Sequence, residues 1–292
     1  MLMLTYRVVR QYLNLLNKLL INLLINFPFY IKYYLRFLVM PVKYHLEGNI
    51  AVFTIENGKL NLFTMEMHEQ FYRSYLKFLH DDNAKVAVLT GSGGNFSAGD
   101  DLKESDTAIK SRENPRWDEL LINQRRTKPM ISAINGWCLG QGIVYSLLLT
   151  DIRIAGESAR LGFPEIAYGM GGISGATRLG IQIPSVHAAY LALTGEKIGA
   201  EQAKEYFIVN EVTKDIECFS RAMEIAKKIA SHPLIAIETE LDGLHRGTEL
   251  SRSSALEHAS QQYINQRKLH LAAGNTAIGD LKNQVSNEKG TS

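Results

Sequence analysis

Residues 128–151, KPMISAINGWCLGQGIVYSLLLTD, decide how the rest of the chain is read. Met130 to Ile134 is a short apolar run that ends at the turn pair Asn135-Gly136, the pattern of a buried strand. Gly140-Gln141-Gly142 then opens an apolar helix, with Ile143, Val144, Leu147 and Leu148 at helical spacing. A helix that begins on glycines just after a strand presents unpaired backbone N–H groups. The positive end of its dipole lies at the same point. Such a place holds a negative oxygen.

A second glycine turn lies upstream, GSGGNFSAGDD from Gly91 to Asp101, after the apolar strand Val86 to Leu89. Two N–H groups from two separate loops can converge on one oxygen and form an oxyanion hole. Either glycine run alone marks no more than a turn. The pair, in this order and about one βαβ unit apart, is more specific.

Four stretches carry a family likeness: FSAGDDLKE (Phe96 to Glu104), KPMISAINGWCLGQG (Lys128 to Gly142), DIRIAGESARLGFPEIAYGMGGISGATRLG (Asp151 to Gly180) and LTGEKIGAEQAKEYFIVNEV (Leu193 to Val212). Together they resemble the crotonase superfamily, the enoyl-CoA hydratase/isomerase group, from about Pro41 to Lys268. The resemblance implies an α/β fold in which ββα units wind as a spiral of two packed sheets. A helical C-terminal region would build a homotrimer or a dimer of trimers and close over the substrate. That substrate would be an acyl-CoA or enoyl-CoA thioester, with CoA as part of the substrate, no separate cofactor and no metal.

The same resemblance assigns roles. The amides of Ala98 and Gln141 are the implied oxyanion donors, and Ala98, Gly99, Asp100, Asp101, Lys103, Gln141 and Val144 the implied substrate-binding residues. The family usually has glycine where Gln141 stands. A backbone donor does not depend on its side chain, so this departure bears on the space beside the thioester. The family's hydratases use two glutamates. The second matches Glu165 in FPEI, and the first falls at Val144, which cannot carry a proton.

Adding water at Cβ while delivering a proton at Cα divides the work between two carboxylates. Moving a double bond from Cβ–Cγ to Cα–Cβ needs one base that removes a proton and returns it. The leading expectation is therefore an enoyl-CoA isomerase with Glu165 as its catalytic carboxyl. A hydratase or lyase, and a catalytically inactive acyl-CoA-binding protein, are the alternatives. A glutamate in an apolar pocket would have the raised pKa that a proton shuttle needs. Apart from the resemblance, Glu165 reads as a turn carboxylate after Pro164. Glu119 is the carboxylate to look for near Val144 if the hydratase reading holds. Tyr145 and Tyr168 read as packing, His187 as helix surface, and Asp100 and Asp101 as turn caps. Lys103 reads equally as a contact for a CoA phosphate or as a solvated lysine.

The 292 residues are 46% hydrophobic and 21% charged, enough for a sizeable core, and the net charge of +2 gives no argument for nucleic acid. The only cysteines, Cys138 and Cys218, lack metal or disulfide spacing and read as reduced core or helix-face residues. Residues 1–39 are basic, acid-free and rich in Leu, Ile, Asn and Tyr. Their asparagines and lysines interrupt any apolar span, so they read first as an extension outside the fold. A basic amphipathic helix on a membrane surface is the second reading.

The resulting division is an extension at 1–39, a spiral core at 40–212, a helical region at 213–273 and a polar tail at 274–292, in a cytoplasmic protein. Within it, Lys43 to Glu56 reads as a hairpin, Leu62 to Leu79 as a helix, and Ser105 to Arg116 as a mobile loop. Trp117 to Arg126 reads as a short helix, Ser174 as a helix cap, and Phe207 to Val212 as the last strand.

Overall fold

The computed structural model describes residues 41–104, 116–171, 173–272 and 274. The chain divides into two units, Met1–Pro41 and Val42–Ser292, and the fold is that of the second. The expectations for residues 1–39, for the loop at 105–115, for the side chain of Ser174 and for the tail beyond 274 lie outside the described residues.

A hairpin, β1 (Val42–Glu47) and β2 (Ile50–Ile55), turns at Gly48-Asn49. The chain then forms α1 (Met65–His80), capped by the Thr64 hydroxyl on the Met67 N–H, and returns as β3 (Val86–Gly91) parallel to β2. After α2 (Trp117–Ile122) come β4 (Met130–Ile134), β5 (Trp137–Leu139) and α3 (Gln141–Leu149). Next are β6 (Ile152–Gly156), β7 (Arg160–Gly162) and a 3-10 turn, Pro164–Tyr168. Helices α4 (Ile173–Gln182) and α5 (Ser185–Thr194) lead to β8 (Ile198–Gly199), α6 (Ala200–Glu205) and β9 (Glu211–Thr213). Three helices end the fold: α7 (Asp215–Ala230), α8 (Leu234–Glu249) and α9 (Arg252–Ala272).

These strands form two sheets. The larger has the order β1-β2-β3-β4-β6-β9, with β1 antiparallel and the others parallel, and the smaller has the order β5-β7-β8. The expected α/β arrangement of two sheets is therefore present. Strand alternation gives the large sheet two apolar faces. Val52, Val88, Ile131 and Ile154 pack on Cys218, Ala222 and Ala226 of α7. Ala51, Phe53, Ala87 and Leu89 face the other layer, with Phe71, Tyr75 and Phe78 of α1. Both cysteines are free and buried.

The last strand differs from its expected position. Phe207 has φ 63°, and the backbone folds back so that the Ile208 and Val209 N–H groups donate to the Ala203 carbonyl. Ile208 and Val209 are buried as a turn, and pairing with β6 starts only at Glu211. Lys128 sets the start of β4. It is buried, and its ammonium donates to the Phe78 and Asp81 carbonyls at the end of α1. Burial lowers its pKa.

Candidate active site

The two glycine turns are laced together by main-chain hydrogen bonds. Phe96 N–H donates to the Asn135 carbonyl (2.8 Å), Ser97 N–H to Trp137 (2.8 Å), and Leu139 N–H to Ser97 (3.0 Å), so Ser97 pairs with Cys138 like a strand. The Asn95 side chain adds a cross-tie: its amide donates to the Lys59 carbonyl and its oxygen accepts from Trp137 N–H. Buried Asn61, at φ 50°, donates to the Ser92 and Asn95 carbonyls and holds the outer end of the first turn.

Two glycines show how closely the turns approach. A Cβ on Gly142 would lie 2.6 Å from the Ser97 carbonyl oxygen. At Gly140, with φ +53°, a Cβ would lie 2.8 Å from Glu165 Oε1 and 3.6 Å from Gly99 Cα. A side chain at either position would fill the gap the turns enclose. Gly99, Gly140, the start of α3 and the Glu165 carboxyl therefore meet at one point, and a Cβ on Gly99 would lie 3.5 Å from Gln141 N.

One expected donor is corrected. The Ala98 N–H donates to the Leu60 carbonyl at 2.9 Å, so it is already paired and does not offer a free amide to a ligand. The next residues pair through Phe63, whose N–H donates to the Gly99 carbonyl and whose carbonyl accepts from Asp101 N–H. Asp100 N–H is left between them. Among the described residues the structure draws no hydrogen bond from Asp100 N–H or from Gln141 N–H, the first amide of α3. The unpaired pair is thus Asp100 and Gln141.

Glu165 sits on the 3-10 turn after Phe163, with Gly169 in the left-handed conformation closing the turn. Its Oε2 is buried without a hydrogen-bond partner. Burial raises its pKa, its own backbone N–H opposes the shift, and the Asp100 charge adds to it. The arrangement is therefore two free amides beside one carboxyl whose proton is held more tightly than usual.

Val144 lies one turn into α3 and is 4% exposed, and its methyl would lie 3.0 Å from a Cβ on Gly175. Glu119 is not near this wall: it pairs with Arg116 on an exposed face (3.1 Å). Asp101 caps the turn through Lys103 N–H (3.0 Å), as expected, and Lys103 is exposed. Tyr168 is exposed, and His187 stacks on Tyr206 at 3.9 Å. Among the described residues no group of three or more His, Cys, Asp or Glu is placed to hold a metal.

A family model described as enoyl-CoA hydratase/isomerase matches residues 45–276 of this chain. The chain belongs to the enoyl-CoA hydratase/isomerase family. It is 36% identical over 214 residues to enoyl-CoA hydratase EchA19 of Mycobacterium tuberculosis, covering 70% of this chain and 79% of that protein. It is 31% identical over 221 residues to the mevalonyl-coenzyme A hydratase sidH of Aspergillus fumigatus, covering 74% and 80%. Among solved structures, an enoyl-CoA hydratase of Bacillus anthracis superimposes with a TM-score of 0.70 at 29% identity, covering 76% of this chain and 89% of that one.

One side chain of this crotonase-type enzyme escaped the sequence reading. His68, on the buried face of α1, bridges the Asp100 carboxylate and the Tyr145 hydroxyl. Its one sequence signal was a polar residue next to Met67 and three before Phe71 on an otherwise apolar face. Asp100, named for substrate binding and alternatively as a turn cap, turns its carboxyl to His68.

Proposed function

We propose that this family member moves the double bond of an enoyl-CoA thioester from Cβ–Cγ to Cα–Cβ, with Glu165 as its single proton-carrying group. The thioester oxygen would accept the Asp100 and Gln141 N–H groups. As the Glu165 carboxylate takes a proton from Cα, charge moves onto that oxygen. Each such donor is worth about 3 kcal/mol in enzymes where one has been removed. The Cβ–Cγ π bond is drawn into the enolate, and the Glu165 carboxyl then returns the proton to Cγ. The carbonyl re-forms, the double bond ends between Cα and Cβ, and neither atoms nor protons are gained or lost.

The observation that carries this reading is Val144, buried and apolar where the resemblance puts a hydratase's first glutamate. The unpartnered Glu165 Oε2 and the raised pKa of Glu165 support it. A 3-enoyl-CoA and crotonyl-CoA, each offered to wild type and Glu165→Gln, test it. Isomerisation that disappears in Glu165→Gln is expected. Robust hydration of crotonyl-CoA with no isomerisation would replace the reading with a hydratase, and binding of acyl-CoA without turnover would replace it with an inactive binding protein.

The hydratase reading has observations of its own: the relatives above are named hydratases, and the Asp100 carboxyl is close enough to Glu165 to raise its pKa. The isomerase reading is preferred because apolar Val144 stands where the resemblance puts a hydratase's first glutamate, and Asp100 shares its carboxyl with His68. Trimeric assembly is part of the proposal. Helix α9 buries none of its residues and exposes Leu256, Tyr263, Leu269 and Leu271, which supports a role between subunits. No helix among the described residues is long and apolar enough to cross a membrane, and a cytoplasmic location is proposed with the rest.

A further inference from the structure

A short chain of polar side chains lies behind the two unpaired amides. His68 is 4% exposed, and its ring stacks on Phe63 with centroids 5.2 Å apart. His68 Nδ1 lies 2.6 Å from the Tyr145 hydroxyl and Nε2 lies 3.2 Å from Asp100 Oδ1. Tyr145 is fully buried on α3, edge-on to Phe63 and Phe71. Gln141, which carries the other unpaired amide, stands one helical turn earlier on α3. The Asp100 carboxyl on one turn is thus joined through His68 to Tyr145 on α3, the helix whose first residue is Gln141.

The hydrogen-bonding capacities match in one direction. The Tyr145 O–H donates to His68 Nδ1. His68 Nε2–H then donates to the Asp100 carboxylate. The chain crosses from α3 to α1 to the first glycine turn, three elements joined at this point by no covalent link. Separating His68 from Tyr145 would leave both polar groups unpaired among the buried rings of Phe63 and Phe71, so that link resists displacement. It also draws the Asp100 carboxylate toward α1, away from an oxygen that becomes negative.

We propose that His68 and Tyr145 are positioning residues that fix the separation and aim of the Asp100 and Gln141 amides. This rests on the reading of those amides as the donors to an enolate oxygen. Neither side chain touches substrate, and neither moves a proton in the reaction. They hold two donors in register, and an error approaching 1 Å there costs on the order of a hundredfold in rate.

The probe is acetoacetyl-CoA, a β-ketothioester whose bound enolate absorbs in the near ultraviolet while its keto form does not. Tyr145→Phe removes the hydroxyl and leaves the aromatic packing. His68→Gln keeps one donor and one acceptor, and His68→Leu keeps neither. Tyr145→Phe and His68→Leu are expected to stay folded with Tm lowered by a few degrees, and to lose most of the enolate band. Their kcat on a 3-enoyl-CoA should fall about tenfold to a hundredfold, with KM changed by less than about threefold. His68→Gln should recover part of both signals.

Folded variants that keep the band and kcat within about twofold, or that lose activity through KM alone, would overturn the positioning role. If wild type forms the enolate and the variants lose it while no 3-enoyl-CoA is turned over, the positioning role stands and the isomerase reading falls. A wild type that binds acetoacetyl-CoA with no enolate band would sink the donor assignment and this proposal with it.

Discussion

Substituting Gly142 by alanine tests whether the approach of the two turns sets the site. The added methyl would start 2.6 Å from the Ser97 carbonyl oxygen and 3.1 Å from Ser97 Cβ, and contact becomes ordinary only at 3.4 Å. The turns must therefore part by about 0.8 Å. Ser97 cannot yield alone. Its N–H and carbonyl are paired with Trp137 and Leu139, and its hydroxyl donates to the Asn61 carbonyl at 2.8 Å. The strain falls on this ladder and on the first turn of α3, which carries Gln141.

Overpacking of this kind costs about 1–3 kcal/mol. For a chain of this size that lowers Tm by a few degrees, on the order of 5 °C. A shift approaching 1 Å in a positioned donor costs on the order of a hundredfold in kcat. Gly243→Ala is the control, because its Cβ meets nothing within 4 Å on helix α8 and alanine there should stabilise by about 0.5–1 kcal/mol. Thermal melts and kcat on a 3-enoyl-CoA, measured side by side, separate the two glycines. A Gly142→Ala enzyme with unchanged Tm and kcat within about threefold would refute the argument that this contact spaces the donors.

The remaining tests concern charge. Burial and the Asp100 charge raise the pKa of Glu165, which must be ionised to take a proton, so kcat/KM should rise with pH through an inflection above the usual ~4.3 of a glutamate. Asp100→Asn removes one of the two raising influences and should move that limb to lower pH; an unmoved limb would mean that the two carboxyls do not interact. Asp151 behaves oppositely. Burial by itself would raise its pKa, but His245, Arg126 and the Met130 N–H outweigh burial and hold it at about 2. The stability it contributes is complete above the ordinary aspartate range and is lost as pH falls toward about 2. Asp151→Asn leaves Arg126, buried and paired at 2.7 Å, without its carboxylate and should cost about 3–5 kcal/mol at neutral pH in a denaturant melt, flattening that acid dependence.

How much of this was legible in the residues follows from range. The strand at Met130–Ile134 and the glycine-opened helix after it carry their own periodicity and punctuation, and both stand within a residue of the expectation. Strands β5, β7 and β8 have three residues or fewer, too short for alternation to register, and only pairing with one another defines them. The sequence likewise located the first glycine turn but named the wrong amide. Which N–H on that turn is free depends on the Leu60 carbonyl, which takes Ala98, and on Phe63, which takes the neighbours of Asp100. Both partners lie more than thirty residues upstream and leave no trace in the turn itself. His68 was hidden differently: one histidine on an apolar helix face looks like packing until its two partners, from elsewhere in the chain, are brought to it.

The proposed chemistry then turns on which polar groups remain uncommitted. Water addition would need a second group to hold and activate the water while Glu165 handles the other proton. Three residues compete for that role. Val144 has no proton to give and packs beside Gly175, and Glu119 is held by Arg116 on an exposed face. Asp100 has the carboxyl, but its Oδ1 is bound to His68, which Tyr145 in turn holds. Asp100 thus lends one oxygen to positioning and keeps only the other for water. A single mobile proton, carried by the buried and unpartnered Glu165 Oε2, is therefore the chemistry proposed for the site.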